Sequence, residues 1–363
     1  MSRPARAHID LDALLHNLRY AKELARGARV LAVVKANGYG HGAVPIARAL
    51  AGEADALGVA CTEEALELRD SGIRVPILLM EGVYSPKEIA IVERYRLAMV
   101  VHSREQLGWI LASRPSRSLD CWIKVDTGMH RVGLDAGDFP AVYAALKDAP
   151  QVGGLVLMTH FARADEPGHP LTASQIDRFS TLTAGVPAPR SLSNSAAVIA
   201  WPDARGDWVR PGIMLYGASP LGDVHPSASR LCTVMKLESA LIAVRELPAG
   251  ETVGYGGRFV CPEPMRVGVV AMGYADGYPR HAPDGTPVAV CGRPTRLIGR
   301  VSMDMLTVDL TRIKDARVGD PVELWGAQVS ANAVAEASGT IAYQLFTGIS
   351  PRVPRIYASP DKV

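Results

Sequence analysis

The chain has 363 residues, 48% hydrophobic and 21% charged, which excludes wholesale disorder and allows a large core without disulfide or metal staples. Lys plus Arg total 39 against 37 for Asp plus Glu, and this near balance removes the electrostatic case for nucleic acid or an anionic membrane as partner. The five cysteines are odd in number and lack C-x-x-C spacing, so they read as reduced thiols. With no apolar signal segment and no run approaching about 18 apolar residues, a cytoplasmic location is expected.

The first two thirds alternates short apolar runs with amphipathic stretches. After Asp12, a candidate N-cap, Leu14, Leu15, Leu18, Ala21, Leu24 and Ala25 share one helical face. Strands are expected over residues 30–35, 56–60, 76–80, 97–101, 121–126, 154–160, 190–194 and 209–216. Helices are expected over 44–51, from 62 onward, and over 87–95, 104–112, 139–147, 173–183 and 196–201. This alternation predicts a (β/α)8 TIM-type barrel, with an open doubly wound sheet as the alternative. Near residue 230 the character changes. Strands are expected over 233–246, 265–273, 288–291, 305–310 and 321–325, with one short helix over 332–338 and an extended segment over 351–357. The expected division is therefore a barrel over residues 1–230 and a mainly β C-terminal domain over 231–363.

Lys35 ends an apolar strand and opens a glycine-rich loop. Active sites gather at that end of parallel α/β strands, and a partly desolvated lysine there can form a Schiff base. The alternative is a strand-end lysine reaching to solvent. The glycines are spaced G-x-G-x-G, which is not the dinucleotide fingerprint. No Walker or H-E-x-x-H motif occurs, and no metal is expected.

Val34-Lys35-Ala-Asn-Gly-Tyr39-Gly-His-Gly resembles the pyridoxal phosphate attachment segment of alanine racemases. The resemblance continues through Ile123-Lys124-Val-Asp-Thr-Gly-Met-His-Arg131, Met158-Thr-His160, Ser193-Asn194-Ser195, Arg210-Pro-Gly212-Ile213, Val253-Gly-Tyr255-Gly, Gly273-Tyr274-Ala-Asp-Gly-Tyr, Ser302-Met303-Asp304 and Arg352-Val-Pro-Arg355. It implies the barrel-plus-β fold and a cytoplasmic isomerase that interconverts L- and D-alanine, supplying D-alanine for peptidoglycan biosynthesis. It also implies a head-to-tail homodimer and pyridoxal 5'-phosphate as cofactor. Other readings are a broader racemase acting on serine, a related decarboxylase, or a non-catalytic pyridoxal phosphate-binding protein.

The resemblance also implies roles. Lys35 would bear the cofactor and act as base on the D-alanine face, with Tyr255 as base on the L-alanine face. A free tyrosine has a pKa near 10, so Tyr255 would depend on His160 and, behind it, Arg210. Arg210 would face the pyridine nitrogen. It can only donate, so the ring would stay unprotonated and reprotonation at Cα would be favoured over transamination. Asn194, Ser195, Gly212, Ile213, Tyr39 and Tyr343 would hold the cofactor, chiefly at its phosphate. Arg131, the Met303 N–H and Tyr274 would bind the substrate. Lys124 would be carbamylated, which removes its repulsion from Arg131. Two departures from common family usage, Gly38 for Ala and Ser302 for Cys, remove no functional group.

Overall fold

The computed structural model describes residues 3–358. They form two units, one of Leu15–Gly38 and Gly42–Leu215, the other of residues up to Leu14, Tyr39–His41 and Tyr216 onward. The first strand, β1 (Arg6–Asp10), belongs to the second unit.

The first unit is a closed parallel barrel of eight strands. They are β2 (Arg29–Val33), β3 (Ala56–Val59), β4 (Ile77–Leu79), β5 (Leu97–Val101), β6 (Leu119–Lys124), β7 (Val152–Met158), β8 (Arg190–Ser191) and β9 (Trp208–Val209). The ring closes where Arg29 and Val30 pair with Trp208 and Val209. β3 and β4 are apolar along their length and buried at every position, as strands covered on both faces require. The barrel is thus the outcome, and the open sheet is excluded.

Several predicted strands stop early, and for three of them the local reason is plain. β2 ends at Val33 because the chain turns left-handed just beyond Lys35. β8 ends at Ser191, and Asn194 then caps the helix Ser195–Ala200 by accepting the Ala197 N–H at 3.0 Å. β9 ends at Val209. Pro211 follows without an N–H for the ladder, and Ile213–Tyr216 forms a 3-10 turn in place of strand.

The second unit is built on an eight-stranded sheet ordered β13-β16-β15-β14-β17-β10-β1-β18. Its members are β10 (Met235–Leu247), β13 (Met265–Val270), β14 (Pro287–Val290), β15 (Arg293–Ile298), β16 (Leu306–Asp309), β17 (Pro321–Trp325) and β18 (Arg355–Ala358), together with β1. A two-stranded ribbon, β11 (Thr252–Val253) with β12 (Phe259–Val260), carries the turn at Tyr255. The ribbon is anchored by Val253 and Phe259, which pack with Cys261, Met265, Val267 and Ile298.

The structure corrects the expectations for this region at several elements. The unit holds a second helix, Ala342–Gly348, besides Ala331–Ala337, where one had been expected. Its seven residues bury only Ala342, Leu345 and Phe346, too short a stripe to read by periodicity. β1 was also missed. Only Ala7 and Ile9 of its five residues point inward, and its place is set by distant partners, β10 antiparallel and β18 parallel.

Candidate active site

Lys35 stands where β2 breaks into an unusual turn. Ala36, Asn37, Gly38 and Tyr39 have φ of 53°, 55°, 59° and 51°, a left-handed run that is costly for residues with a Cβ. Backbone strain of this kind persists only where surrounding contacts hold it. Glu64 supplies one hold, accepting the Ala36 N–H on Oε1 and the Ala60 N–H on Oε2, each at 2.7 Å. Asn37 supplies another, its Oδ1 accepting the Ala43 N–H at 2.8 Å and its carbonyl the Gly42 N–H at 2.9 Å.

Around Lys35 the barrel collects positive charge. Its Nζ lies 3.8 Å from Glu81 Oε1. Glu81 in turn accepts a short hydrogen bond from the Tyr84 hydroxyl. Lys124, at the end of β6, is buried. Burial first, then the charges of Arg210, Arg131 and Lys35, push its pKa down to about 8. Arg131 sits on the loop after β6. That loop is closed by mutual bonds, Leu134 N–H to Lys124 O at 2.8 Å and Asp126 N–H to Leu134 O at 2.9 Å.

Arg210 is fully buried and heavily bonded. Nη1 donates to Ser191 O at 2.8 Å and Ser191 Oγ at 2.7 Å. Nη2 donates to Thr159 O at 2.6 Å and Leu192 O at 3.2 Å, and faces His160 Nδ1 at 3.4 Å. Burial lowers its pKa only to about 10, so it stays charged. Its Nε, also buried, has no acceptor among the described residues. An orphaned donor on a buried cation is costly unless a ligand supplies the acceptor. His160 is held neutral: burial and then the charges of Arg210, Lys124, Arg131 and Lys35 lower its pKa well below the usual value. Because arginine only donates, Nδ1 is the acceptor and the ring proton belongs on Nε2.

A set of N–H groups lies at the ends of β8 and β9. Ser195 and Ala196 open the helix capped by Asn194, and neither N–H has an acceptor among the described residues. The same holds for the Ile213 N–H. The Gly212 N–H is already engaged, donating to Ser195 Oγ at 2.8 Å. N–H groups left without an acceptor at a helix start suit an anion.

In the second unit, Tyr39 stacks on Tyr216 at 4.6 Å between ring centroids and lies 5.9 Å from Tyr343. Burial, with Tyr343 nearby, pushes the Tyr39 pKa up, which keeps its hydroxyl protonated as a donor. Arg355 holds the backbone of this loop, donating from Nε to Gly40 O at 3.0 Å. Tyr255 tops the β11–β12 ribbon and is 67% exposed. Tyr274 and Met303 lie on joined loops, the Ala275 N–H bonding to Met303 O at 3.0 Å.

The chain matches two family models, "Alanine racemase, N-terminal domain" over residues 9–220 and "Alanine racemase, C-terminal domain" over residues 234–357. It is 55% identical over 356 residues to an alanine racemase of Pseudomonas syringae pv. syringae, covering 98% of this chain and 99% of the relative. The chain belongs to the alanine racemase family. Among solved structures it resembles the biosynthetic alanine racemase from Pseudomonas aeruginosa, at TM-score 0.96 and 48% identity, covering 98% of this chain and all of that one. It also resembles the alanine racemase from Bartonella henselae with covalently bound pyridoxal phosphate, at TM-score 0.88 and 31% identity over 98% of this chain and 99% of that one.

Of the residues singled out in the sequence, the barrel unit brings Lys35, Arg131 and Arg210 within charge range of both Lys124 and His160. Asn194, Ser195, Gly212 and Ile213 form a second group, joined through Ser195 Oγ. Tyr39 and Tyr343 meet in the second unit, as do Tyr274 and Met303. Two carboxylates of the barrel unit, Glu81 beside Lys35 and Glu64 beneath Ala36, are not among the residues singled out in the sequence. Glu81 did leave a trace, as a lone carboxylate between an apolar run and Gly82. Among the described residues no group of three or more His, Cys, Asp or Glu is placed to hold a metal, and no helix is long and apolar enough to cross a membrane.

Proposed function

We propose that this protein interconverts L- and D-alanine with pyridoxal 5'-phosphate, using Lys35 and Tyr255 as bases on opposite faces of Cα. The observation that carries the cofactor assignment is the orphaned Arg210 Nε. A pyridine nitrogen is the acceptor it lacks, and the free N–H groups of Ser195, Ala196 and Ile213 suit the phosphate. When bound, the cofactor supplies the electron sink that acidifies the substrate Cα–H.

The residues then divide the work. Lys35 anchors the cofactor and exchanges a proton at Nζ with one face of Cα. Tyr255 exchanges a proton at its hydroxyl with the other face. Arg210 keeps the pyridine nitrogen unprotonated, because it has no proton to give up. It also orients neutral His160, whose Nε2–H is left to stabilise a phenolate on Tyr255. Arg131 and the Met303 N–H take the substrate carboxylate, with Tyr274 bounding a small side-chain pocket. The phosphate role of Asn194, Gly212, Tyr39 and Tyr343 rests on the family resemblance. For Gly212 it acts through Ser195, since its N–H is engaged there.

Lys124 is proposed to react with carbon dioxide. The neutral amine forms an N–C bond to CO₂ and releases one proton, leaving a carbamate anion. A pKa near 8 makes neutral amine available at physiological pH, and the product cancels the like charge of Arg131. Two copies of the chain are proposed to pair head to tail, so that Tyr255 of one copy serves Lys35 of the other. The exposure of Tyr255, Tyr274, Met303 and Met305 on the β unit supports this. D-alanine for peptidoglycan in the cytoplasm is the corresponding role.

The test is direct. The cofactor-loaded protein is incubated with L-alanine, L-serine and L-lysine in heavy water. Racemisation of alanine with deuterium at Cα supports the proposal. Absence of racemisation overturns it, and release of carbon dioxide identifies a decarboxylase.

A further inference from the structure

Arg352 belongs to a family motif that the proposed mechanism leaves unused, and the structure ties it to the loops of Tyr274 and Met303. Four side chains there alternate in charge. Asp276, fully buried, lies 2.5 Å from Arg3 Nη2 and 3.6 Å from Arg352 Nε. Asp304 lies 2.6 Å from Arg352 Nη2 and 4.0 Å from Arg3 Nη1. Arg3 Nη2 also donates to the Asp304 carbonyl at 2.9 Å. Each arginine therefore touches both carboxylates. One cation would have served to neutralise Asp276; the second arginine closes a ring across two loops.

The ring bears on one peptide group. The Tyr274 N–H donates to Ser302 O at 3.0 Å. Ser302 O and the Met303 N–H belong to the same trans peptide plane and point in opposite directions. Holding the first therefore aims the second. The Met303 N–H has no acceptor among the described residues and is left available to a ligand. The junction tolerates no looseness. A Cβ on Gly273 would lie 2.3 Å from Met303 O, and Asp276 Oδ2 accepts the Gly273 N–H at 2.9 Å.

We propose that Arg3 and Arg352 are positioning residues for the substrate carboxylate, bridging Asp276 and Asp304 so that the Met303 N–H and Tyr274 are presented in fixed register. The inference rests on the proposed function. A guanidinium can bridge two carboxylates through its planar fork, whereas an ammonium is a point charge. Arg3, on the segment before β1, thus becomes part of the binding machinery.

The test uses the cofactor-loaded full chain carrying Arg3→Ala, Arg3→Lys or Arg352→Ala. Each variant is expected to raise KM for both alanine enantiomers about tenfold with kcat nearly unchanged, the scale expected when a carboxylate donor is displaced. The inhibition constant of propionate, which shares only the carboxylate and the alkyl end, should rise in parallel. Millimolar guanidinium should restore Arg3→Ala but not Arg3→Lys. Unchanged KM and propionate inhibition in the folded variants, or loss confined to kcat or to thermal stability, overturns the inference. If Arg3→Ala does not fold, Arg352→Ala decides by the same two readouts. A wild-type enzyme that fails to racemise alanine refutes the proposed function instead, so the two failures are distinguishable.

Discussion

Arg210 Nη2 faces His160 Nδ1 at 3.4 Å while its own Nε is left without an acceptor among the described residues. One buried cation is thereby turned toward two tasks, the histidine on one side and an open position on the other. Replacing it by a carboxylate would reverse the electrostatics of that position. An Arg210→Glu variant should hold the pyridine nitrogen protonated and favour transamination over reprotonation at Cα. Pyruvate formed per racemisation event, measured with L-alanine, should rise by at least about tenfold over wild type. An unchanged ratio counts against a ring-facing Arg210.

Tyr255 is mostly exposed, so Tyr255→Phe should change stability by no more than about 0.5 kcal/mol. Racemisation should fall about 10²- to 10⁴-fold, the range for loss of a general base. The two enantiomers have equal free energy, so kcat/KM must fall equally in both directions. The faces separate only in isotope exchange. D-Alanine should still exchange its Cα hydrogen with heavy water without inverting, through Lys35, whereas L-alanine should exchange far more slowly.

Lys124 makes stability depend on pH and on bicarbonate. Its pKa falls from 10.5 to about 8 on folding. Between those values the unfolded chain binds the extra proton, so stability rises with pH across that window. Below about pH 8 the full cost applies, roughly 3 kcal/mol from the size of the shift. Lys124→Met should therefore raise Tm at pH 7 and do little at pH 10. Bicarbonate should raise the Tm of the wild type at pH 7 but not that of the variant, and intact mass should show one added CO₂. No bicarbonate effect on either Tm or mass rules carbamylation out.

Gly38 and Gly40 both have positive φ, yet they should respond differently to a methyl group. At Gly38, with φ 59°, a new Cβ meets Ile46 Cγ1 at 3.3 Å, a contact that a side chain can relieve. Gly38→Ala should cost about 1–2 kcal/mol. At Gly40 the Cβ would lie 2.0 Å from the Phe346 carbonyl, and two backbones cannot both give way. Gly40→Ala should cost more than about 3 kcal/mol. Chemical denaturation of the two variants compares them; equal losses would count against the close approach of the Tyr39 loop to Phe346.

Much of the fold was legible in residue patterning. Fully apolar runs such as Ile77–Leu79, set between amphipathic stretches, carry a local signal that survives any tertiary context. Leu97–Val101 and Pro321–Trp325 lie where periodicity put them. The short elements were not legible. β1 shows two inward residues and depends on partners more than 220 positions away, such as Glu238 opposite Arg6, so nothing local announces it. The site divides in the same way. Lys35 declared itself by following an apolar run, residues 30–34. The left-handed course of Ala36–Tyr39, by contrast, needs the grip of Glu64 and Asn37.

Taken by itself, the sequence determined the alternation of strands and helices and the change to β structure near residue 230, because these follow from local periodicity; closure of the barrel came only with the pairing of β2 and β9. The open position on Arg210, the neutral His160, the depressed pKa of Lys124 and the ring joining Arg3 to Asp304 were decided only by tertiary structure. Desolvation and charge–charge energy depend on distances in space, and residues such as Lys124 and Arg210, or Arg3 and Asp276, become neighbours only when the chain has folded.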